Sequence, residues 1–401
     1  MTMPSKSSQV LPAEFVPLWV PELYGNEWNY VKDCLDSSWI STVGSYVDRF
    51  ERAIAEYLGN VFTVATVNGT AALHVALLLV DVQPDDEVLV PALSFIAPTN
   101  AVRYVGAWPV FIDAEPVYWQ MDPEKVTSFL EKECHWVNRT LRNKTTGRRV
   151  KAILPVHILG HPCDMKPILE VARKYGLMVI EDAAEGLGTK CRDRMVGSFG
   201  DVACFSFNGN KLVTTGGGGM IVTENEDLAN RARYLTAQAK DDYEEFSHGE
   251  VGYNYRLTNI HAAIGVAQME NIKKIIEAKR NLAARYEKKI IGLPGISTPQ
   301  EAGWALSTFW LYTILIDEKR TGITNRTVQE ALAKLKIETR RLWKPVHEQS
   351  PYQSCQAYEI EVASRLHSEG LCLPSSVGLR EEEQNRVVNE VCHLVGSDKF
   401  W

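Results

Sequence analysis

The chain has 401 residues, of which 45% are hydrophobic and 23% are charged, a composition that is ordinary for a globular enzyme. This length exceeds one typical hydrophobic core, so we expect a large domain and a smaller one. The net charge of −7 argues against binding to nucleic acid or to an anionic membrane. No apolar run approaches the roughly 20 residues of a membrane span, and the first residues lack the apolar core of a signal peptide. We therefore expect a cytoplasmic protein.

After a polar leader, residues 26–36 and 46–58 read as helices on either side of the loop SSWISTVGS. Short apolar strands then alternate with helices as far as VACFSF at residues 202–207. This alternation indicates parallel strands in a covered sheet. The predicted fold class is therefore α/β, with a large domain whose mostly parallel sheet is flanked by helices.

The composition changes near residue 265. The run AIGVAQMENIKKIIEAKRNLAARYEKKI is typical of a long connecting helix, and it leads into a smaller C-terminal part that contains the strand-like WLYTILID. We expect this part to be of α+β character. The predicted organisation is an N-terminal segment (1–25), a large domain (26–265) and a small domain (266–401).

One lysine, Lys211, stands in the run FSFNGNKLVTTGGGGMIVT, between two strand-like stretches. The four glycines Gly216–Gly219 follow it, so that something large can approach the backbone closely. A buried lysine is rare without a partner or a chemical role, and the role that fits best is a Schiff base with a carbonyl cofactor. A nucleotide P-loop is excluded, because Lys211 precedes the glycines instead of ending them before Ser or Thr.

Two segments that end predicted strands offer polar groups. Asn68-Gly69-Thr70 precedes a helix, where backbone amides and a hydroxyl suit a phosphate, although a simple turn with an N-cap explains the same pattern. Asp182 ends the strand in MVIEDAAEGLG and could pair with a protonated ring nitrogen, or only cap the next helix.

Two further segments add an aromatic ring and a basic patch. Phe95 follows another strand and could stack on a flat cofactor, or simply pack in the core. Asn254 and Arg256, in GYNYRLTNIHAAIG, could meet phosphate or carboxylate, or lie in a solvated loop. Together with Lys211, these segments supply the parts needed to hold pyridoxal phosphate.

A metal site is the alternative for HILGHPC, where His157, His161 and Cys163 stand close together. A single cluster without a second half is usually structural, so we expect no metal. Eight cysteines are scattered without a CxxC pair, which indicates reduced thiols.

From about residue 16 to about residue 390 the chain resembles the DegT/DnrJ/EryC1/StrS family of sugar aminotransferases, which are fold-type-I pyridoxal-phosphate enzymes. The resemblance is carried by LDSSWISTVGSYVDRFE, NGTAAL, HILGHPCDM, EDAAEGLG, SFNGNK with its glycine run, GYNYRLTNIHAAIG, RRLWKPVH and LCLPSS. SFNGNK and HILGHPCDM are similar to the subgroup that acts at C4 of UDP-4-keto-6-deoxy-N-acetylhexosamines. The resemblance therefore implies amino transfer from L-glutamate to a nucleotide-linked ketosugar, with a C3 site or a dTDP or GDP sugar as alternatives.

The resemblance also assigns roles to residues. It implies that Lys211 forms the Schiff base and that Asp182 pairs with the pyridine nitrogen. The remaining cofactor contacts that it implies are Gly69, Thr70, Ala71, Phe95, Glu185, Ser206 and, from the neighbouring subunit of a homodimer, Asn254. Basic and aromatic residues are candidates for the nucleotide sugar or the donor carboxylate: Arg256, Arg340, Arg341, Trp343, Lys344 and His347.

Two positions depart from the family pattern. Many relatives have Gln where Glu185 stands, near the phenolic oxygen of the cofactor, so we expect Glu185 to be protonated or turned away. Gly217 replaces a Glu that is common in relatives, and we expect little consequence. A sugar dehydratase is an alternative reaction, but that branch has His in place of the lysine. A non-catalytic regulatory protein is the other alternative, and the intact set of residues argues against it.

Overall fold

The computed structural model describes residues 15–23, 25–59, 61–242 and 244–396. The rest of the predicted N-terminal segment and the last five residues of the predicted small domain lie outside these ranges. The strands are, in chain order, β1 (Phe62–Thr66), β2 (Glu87–Pro91), β3 (Trp108–Ile112), β4 (Cys134–Val137), β5 (Thr140–Asn143), β6 (Val150–Ile153), β7 (Met178–Asp182), β8 (Lys190–Cys191), β9 (Arg194–Met195), β10 (Val202–Ser206), β11 (Gly219–Thr223), β12 (Ile296–Ser297), β13 (Ala305–Leu306), β14 (Thr313–Ile316), β15 (Arg340–Arg341), β16 (Ala357–Tyr358) and β17 (Gly370–Cys372).

The α-helices are, in chain order, α1 (Asn26–Asp36), α2 (Ser45–Leu58), α3 (Gly69–Leu79), α4 (Ala97–Tyr104), α5 (Pro123–Lys132), α6 (Met165–Tyr175), α7 (Glu226–Thr236), α8 (Asn259–Met269), α9 (Ile272–Ile290), α10 (Glu318–Thr321), α11 (Asn325–Lys334), α12 (Val362–Glu369) and α13 (Glu381–Leu394). The helix predicted at 26–36 has the bounds of α1, and the one predicted at 46–58 begins one residue earlier. No helix in the described part of the chain is both long enough and apolar enough to cross a membrane.

The main sheet has eight strands within the described ranges, in the order β1-β11-β10-β7-β6-β2-β3-β16. Neighbours pair in parallel except at β11, which runs antiparallel to both β1 and β10. Every residue of β2 and β11 is buried, as expected for apolar strands covered on both faces. The prediction of a mostly parallel sheet flanked by helices is confirmed.

The glycine run allows β11 to approach the turn between β1 and α3. A Cβ on Gly219 would lie 2.5 Å from the backbone carbonyl of Asn68, and a Cβ on Gly218 would lie 2.3 Å from the Thr215 hydroxyl. Side chains at these positions would therefore push β11 away from the end of β1. A Cβ built on Gly217 would have no atom within 4 Å. This agrees with the expectation that glycine in place of the Glu common in relatives has little consequence.

The long connecting helix that the sequence predicts is interrupted. The chain leaves the helical path between α8 and α9, with Asn271 at φ −113° and ψ 7°. Glu270 lies at this break and accepts hydrogen bonds from Asn26 and from the Tyr30 hydroxyl, both on α1. The break has a physical reason: α8 packs on α1 and α2, whereas α9 packs on α13 in the C-terminal part.

The C-terminal part contains an antiparallel sheet in the order β12-β14-β17-β15, whose core includes Tyr286 and Ile290 of α9. The chain then returns to the main sheet. Val346 donates a backbone hydrogen bond to Ala92, and β16 pairs in parallel with β3 as the edge strand. The domain division at residue 265 stays a prediction. The edge strand β16, which lies on the C-terminal side of that division, belongs to the main sheet.

Candidate active site

A cavity of about 290 Å³ opens where strands of the main sheet end. Asp182 and Ser206 are the last residues of β7 and β10, while Gly69 and Phe95 follow β1 and β2, and all four line the cavity. These four strands run in the same direction, so their carboxyl ends meet at one edge of the sheet. That edge is where α/β sheets bind ligands.

Lys211 lies in the turn after β10, and its side chain is 14% exposed. Its Nζ is 3.2 Å from Oε1 of Glu185 and 4.1 Å from the ring centroid of Trp310. The amine is therefore held between a carboxylate and an aromatic face inside the cavity. An amine confined in this way, and still open to a ligand, is suited to covalent chemistry with a carbonyl compound.

Glu185 is anchored at both carboxylate oxygens. Oε2 accepts a hydrogen bond of 2.8 Å from the backbone N–H of Leu159, and Oε1 faces Lys211. The side chain lines the cavity. The sequence analysis expected Glu185 to be either protonated or turned away. The structure shows that it is not turned away.

We expect Glu185→Gln to lower the free energy of unfolding of the cofactor-free protein by about 1–3 kcal/mol. Only one end of an amide accepts hydrogen bonds, so it cannot serve both the Leu159 N–H and the Lys211 amine as the carboxylate does. Urea unfolding measures the change, with Glu131→Gln as the control because the Glu131–Lys174 pair is exposed. Equal losses in the two variants would contradict the prediction.

Asp182 is 3% exposed and is fixed by both its backbone and its side chain. Its Oδ1 accepts the Ala184 N–H at 3.0 Å, and its backbone N–H donates to the Pro155 carbonyl at 2.9 Å. Burial raises the pKa of Asp182 from 3.8 to about 6, while the Ala184 N–H and the charge of Lys211 act in the opposite direction. A cationic partner within the cavity would stabilise the charged form of this buried carboxylate.

The first turn of α3 brings anion-binding groups to the same cavity. Asn68 caps the helix by accepting the Ala71 N–H at 2.8 Å, and the amides of Gly69 and Thr70 precede it in the first turn. Such amides have no carbonyl partner within the helix. A Cβ on Gly69 would lie 2.9 Å from Cβ of Ser206, so glycine lets the turn approach the end of β10. This arrangement fits a phosphate group.

Aromatic and basic side chains complete the cavity. Phe95 is 57% exposed and lines the cavity, so its ring is open to a flat ligand. Trp310, Arg340 and Trp343 reach the cavity from the C-terminal part of the chain. The structure thus brings nine of the predicted residues together: Gly69, Thr70, Phe95, Asp182, Glu185, Ser206, Lys211, Arg340 and Trp343.

Three predicted residues near the cavity do not line it. Ala71 is buried, and its N–H is taken by Asn68. Asn254 and Arg256 are exposed in a segment that continues beside the end of β1, where Arg256 forms a bridge with Thr66. The contact expected of Asn254 involves a neighbouring subunit, so it stays a prediction.

Three of the predicted basic residues, in β15 or shortly after it, contact other parts of the chain. Arg341 donates to Nε2 of His367 at 3.2 Å, and burial lowers the pKa of its guanidinium. His347 packs against the ring of Phe111 in β3, and Lys344 lies 3.9 Å from Glu348. None of these three basic residues lines the cavity. Because side chains alternate along a strand, Arg340 faces the cavity and its neighbour in β15 does not.

Several cavity residues escaped the sequence analysis: Ala184, Asn208, Asn210 and Trp310. Asn208 and Asn210 stand in SFNGNK beside Lys211, so the motif itself is a signal for them. Trp310 lies in WLYTILID, which reads only as an apolar strand, and nothing in the sequence ties it to a lysine about 100 residues earlier.

The histidines of HILGHPC serve the structure. His157 is fully buried, with Nδ1 accepting the Cys163 N–H and Nε2 3.1 Å from Glu181. Glu181 also accepts backbone N–H groups, including that of Gly197. His161 stacks on Tyr118, and burial lowers its pKa to about 4. Among the described residues, no group of three or more His, Cys, Asp or Glu is placed to hold a metal ion.

Comparison with known proteins identifies the family. The model of the DegT/DnrJ/EryC1/StrS aminotransferase family matches residues 21–392. The chain is 40% identical to the GDP-perosamine synthase of Caulobacter vibrioides over 369 residues, which cover 92% of this chain and 95% of that protein. It is 37% identical to the putative pyridoxal phosphate-dependent aminotransferase EpsN of Bacillus subtilis, over 93% of this chain and 94% of the relative.

A solved structure supports the same assignment. The aminotransferase TlmJ from Streptoalloteichus hindustanus superposes with a TM-score of 0.85 at 27% identity, over 95% of this chain and 98% of that one. The predicted fold, family and enzyme class are therefore confirmed. The chain belongs to the DegT/DnrJ/EryC1/StrS aminotransferase family and is a sugar aminotransferase.

Proposed function

We propose that the chain uses pyridoxal phosphate to transfer the amino group of L-glutamate to a keto carbon of a nucleotide-linked 4-keto-6-deoxy sugar. The observation that carries the proposal is the placement of the Lys211 amine and the buried Asp182 carboxylate in one cavity. The first turn of α3, which can bind an anion, belongs to the same cavity.

The residues present fit the cofactor. Gly69, Thr70 and Ser206 would hold its phosphate, and Phe95 would cover one face of its ring. Lys211 is the amine that would bond to its aldehyde. When bound, the cofactor supplies an electron sink for the negative charge that develops at the reacting carbon.

The residues of the chain provide the proton chemistry. Asp182 would hold a proton on the ring nitrogen, because a buried carboxylate favours a cationic partner. Once its amine is free, Lys211 would take the proton from the α-carbon of the donor and return it later as a general acid. Glu185 lies 3.2 Å from this amine and limits where it can move.

The identity of the sugar and of its nucleotide is also proposed, from two lines of support that differ. The sequence resemblance favours C4 of UDP-4-keto-6-deoxy-N-acetylglucosamine, in the synthesis of bacterial surface glycans or nonulosonic acids. The relative named GDP-perosamine synthase, at 40% identity, favours a GDP-linked sugar instead. Arg340 and Trp343 line the cavity and could contact the nucleotide diphosphate and the sugar or base, respectively. We propose the GDP-linked sugar as the preferred substrate, because the similarity to this relative covers 92% of this chain and 95% of that protein.

We further propose a homodimer with shared sites, in the cytoplasm. Large apolar side chains of α1 and the loop after it are exposed, including Trp28, Leu35, Trp39, Ile40 and Val43. Such a patch is typical of a surface that another chain covers. The exposed Asn254 could then reach the cavity of the second subunit.

The proposal is tested by incubating the purified protein with pyridoxal phosphate, ¹⁵N-labelled L-glutamate and a panel of GDP-, UDP- and dTDP-linked 4-keto-6-deoxy sugars. We expect ¹⁵N in one sugar product, detected by mass spectrometry, with NMR locating the amine at C3 or C4. A protein that binds no pyridoxal phosphate and labels no sugar would refute the proposal. Labelling of the UDP sugar alone would restore the nucleotide predicted from the sequence.

A further inference from the structure

Trp310 has no role in the assignments above, although it touches the reactive amine. It stands shortly before β14, is 2% exposed and lines the cavity. The Nζ of Lys211 lies 4.1 Å from its ring centroid, within the range of a cation–π contact. The indole thus covers Lys211 on one side while Glu185 meets its Nζ at 3.2 Å.

Contacts from several segments fix Trp310 in place. Its indole N–H donates to the carbonyl of Asn210, the residue before Lys211, at 2.7 Å. Its backbone carbonyl accepts from Nζ of Lys279 on α9 at 2.9 Å. Lys279 is fully buried, also donates to the carbonyl of Ser375, and has a pKa that burial lowers well below its usual value. A buried lysine bonded to backbone carbonyls holds segments together instead of meeting solvent.

The positioning of Lys211 has a physical cost that these contacts offset. A free lysine side chain loses rotamer entropy when one geometry is imposed. The cation–π contact with Trp310 and the ion pair with Glu185 both favour the observed geometry. We propose that Trp310 is a positioning residue that holds the Lys211 amine at the cavity, within reach of Glu185. The inference rests on the proposed function only in taking Lys211 as the reactive amine.

The test measures the reactivity of Lys211 in the cofactor-free full-length protein. Limiting acetic anhydride labels lysines, and peptide mass spectrometry gives the rate for Lys211 relative to the exposed Lys174. We expect Trp310→Leu to label Lys211 roughly fivefold faster than wild type, because the ring no longer holds the amine in place and the reagent can reach it more easily. Trp310→Phe keeps an aromatic face and is expected to stay within about twofold of wild type.

The matched control is Trp304→Leu. Trp304 has its own cation contact, with Arg192 at 5.1 Å, and it does not line the cavity of Lys211. A purely structural effect of losing an indole would appear in both leucine variants, whereas positioning changes Lys211 only in the Trp310 variant. Circular dichroism confirms folding, and Trp310→Met takes the place of the leucine variant if that variant is unfolded.

The possible outcomes separate this inference from the proposed function. An unchanged relative rate for Lys211 in the folded Trp310→Leu or Trp310→Met protein overturns the inference, even where wild type transfers ¹⁵N to a sugar. Faster labelling that the phenylalanine variant reverses supports it, even where no sugar in the panel is labelled. An equal increase in Trp304→Leu also overturns it.

Discussion

Replacement of Lys211 by alanine is expected to abolish amino transfer while leaving the fold intact. Among the described residues that line the cavity, Lys211 carries the only primary amine. Loss of both the covalent attachment and the general base should reduce kcat on the order of 10⁴-fold or more. ¹⁵N transfer from L-glutamate to the sugar measures the loss, and circular dichroism and gel filtration check the fold and the assembly.

The control for Lys211→Ala is Lys174→Ala, which removes an exposed amine paired with Glu131 and should retain activity. In wild type, borohydride reduction of the loaded enzyme is expected to leave the mass of the cofactor on the peptide that contains Lys211. Turnover by Lys211→Ala at a tenth of the wild-type rate would remove this lysine from the mechanism. Label on another lysine would have the same consequence.

Asp182→Asn is expected to lower catalysis by roughly 10²–10⁴-fold, and also to stabilise the cofactor-free protein. An amide at this position keeps an oxygen for the Ala184 N–H but has no negative charge to hold a proton on a ring nitrogen. The electron sink would then be weakened at the step that needs it. Steady-state kinetics with the labelled donor measure the loss. An activity within a few fold of wild type would contradict the assigned role.

The stability change follows from the sign of the pKa shift. Burial raises the pKa of Asp182 from 3.8 to about 6, so between these values the folded protein holds a proton that the unfolded chain has released. The unfavourable charge therefore weakens the cofactor-free fold as pH rises through about 6, by about 3 kcal/mol at most.

Urea unfolding of cofactor-free wild type and Asp182→Asn at several pH values checks this sign. The difference between the proteins should be small near pH 4 and reach its full value above pH 6, where asparagine is the more stable. Asp201→Asn is a suitable comparison, since Asp201 accepts the Val179 N–H outside the cavity. A constant difference across the pH range would show that Asp182 is not a buried, shifted carboxyl.

Residues close to strand ends could be placed at one cavity from the sequence, because local patterns reveal them. An apolar strand that ends in an acidic residue identifies Asp182, and an apolar strand followed by a short polar turn and a helix identifies Gly69. Parallel strands then place their carboxyl ends together, so separate local signals imply one site. For the same reason, the bounds of α1 and the direction of most strands follow from the amino-acid pattern.

Residues from distant parts of the chain required the tertiary structure. Arg340 and Arg341 are equivalent in the sequence, and only the pairing of β15 with β17 decides which side each faces. The break between α8 and α9 depends on contacts with α1, and the edge strand β16 on a return of the chain to β3. None of these has a local pattern, because each results from contacts between residues far apart in sequence.

Lys211 combines both kinds of information. Its motif, the strand before it and the glycine run after it are local, and they single out this lysine as the candidate reactive amine. Its surroundings come from elsewhere: Glu185 precedes it by 26 residues, and Trp310 reaches it only through the packing of the C-terminal part. Chemistry carried by one side chain can be read from a short stretch of sequence, whereas its positioning depends on packing between distant segments.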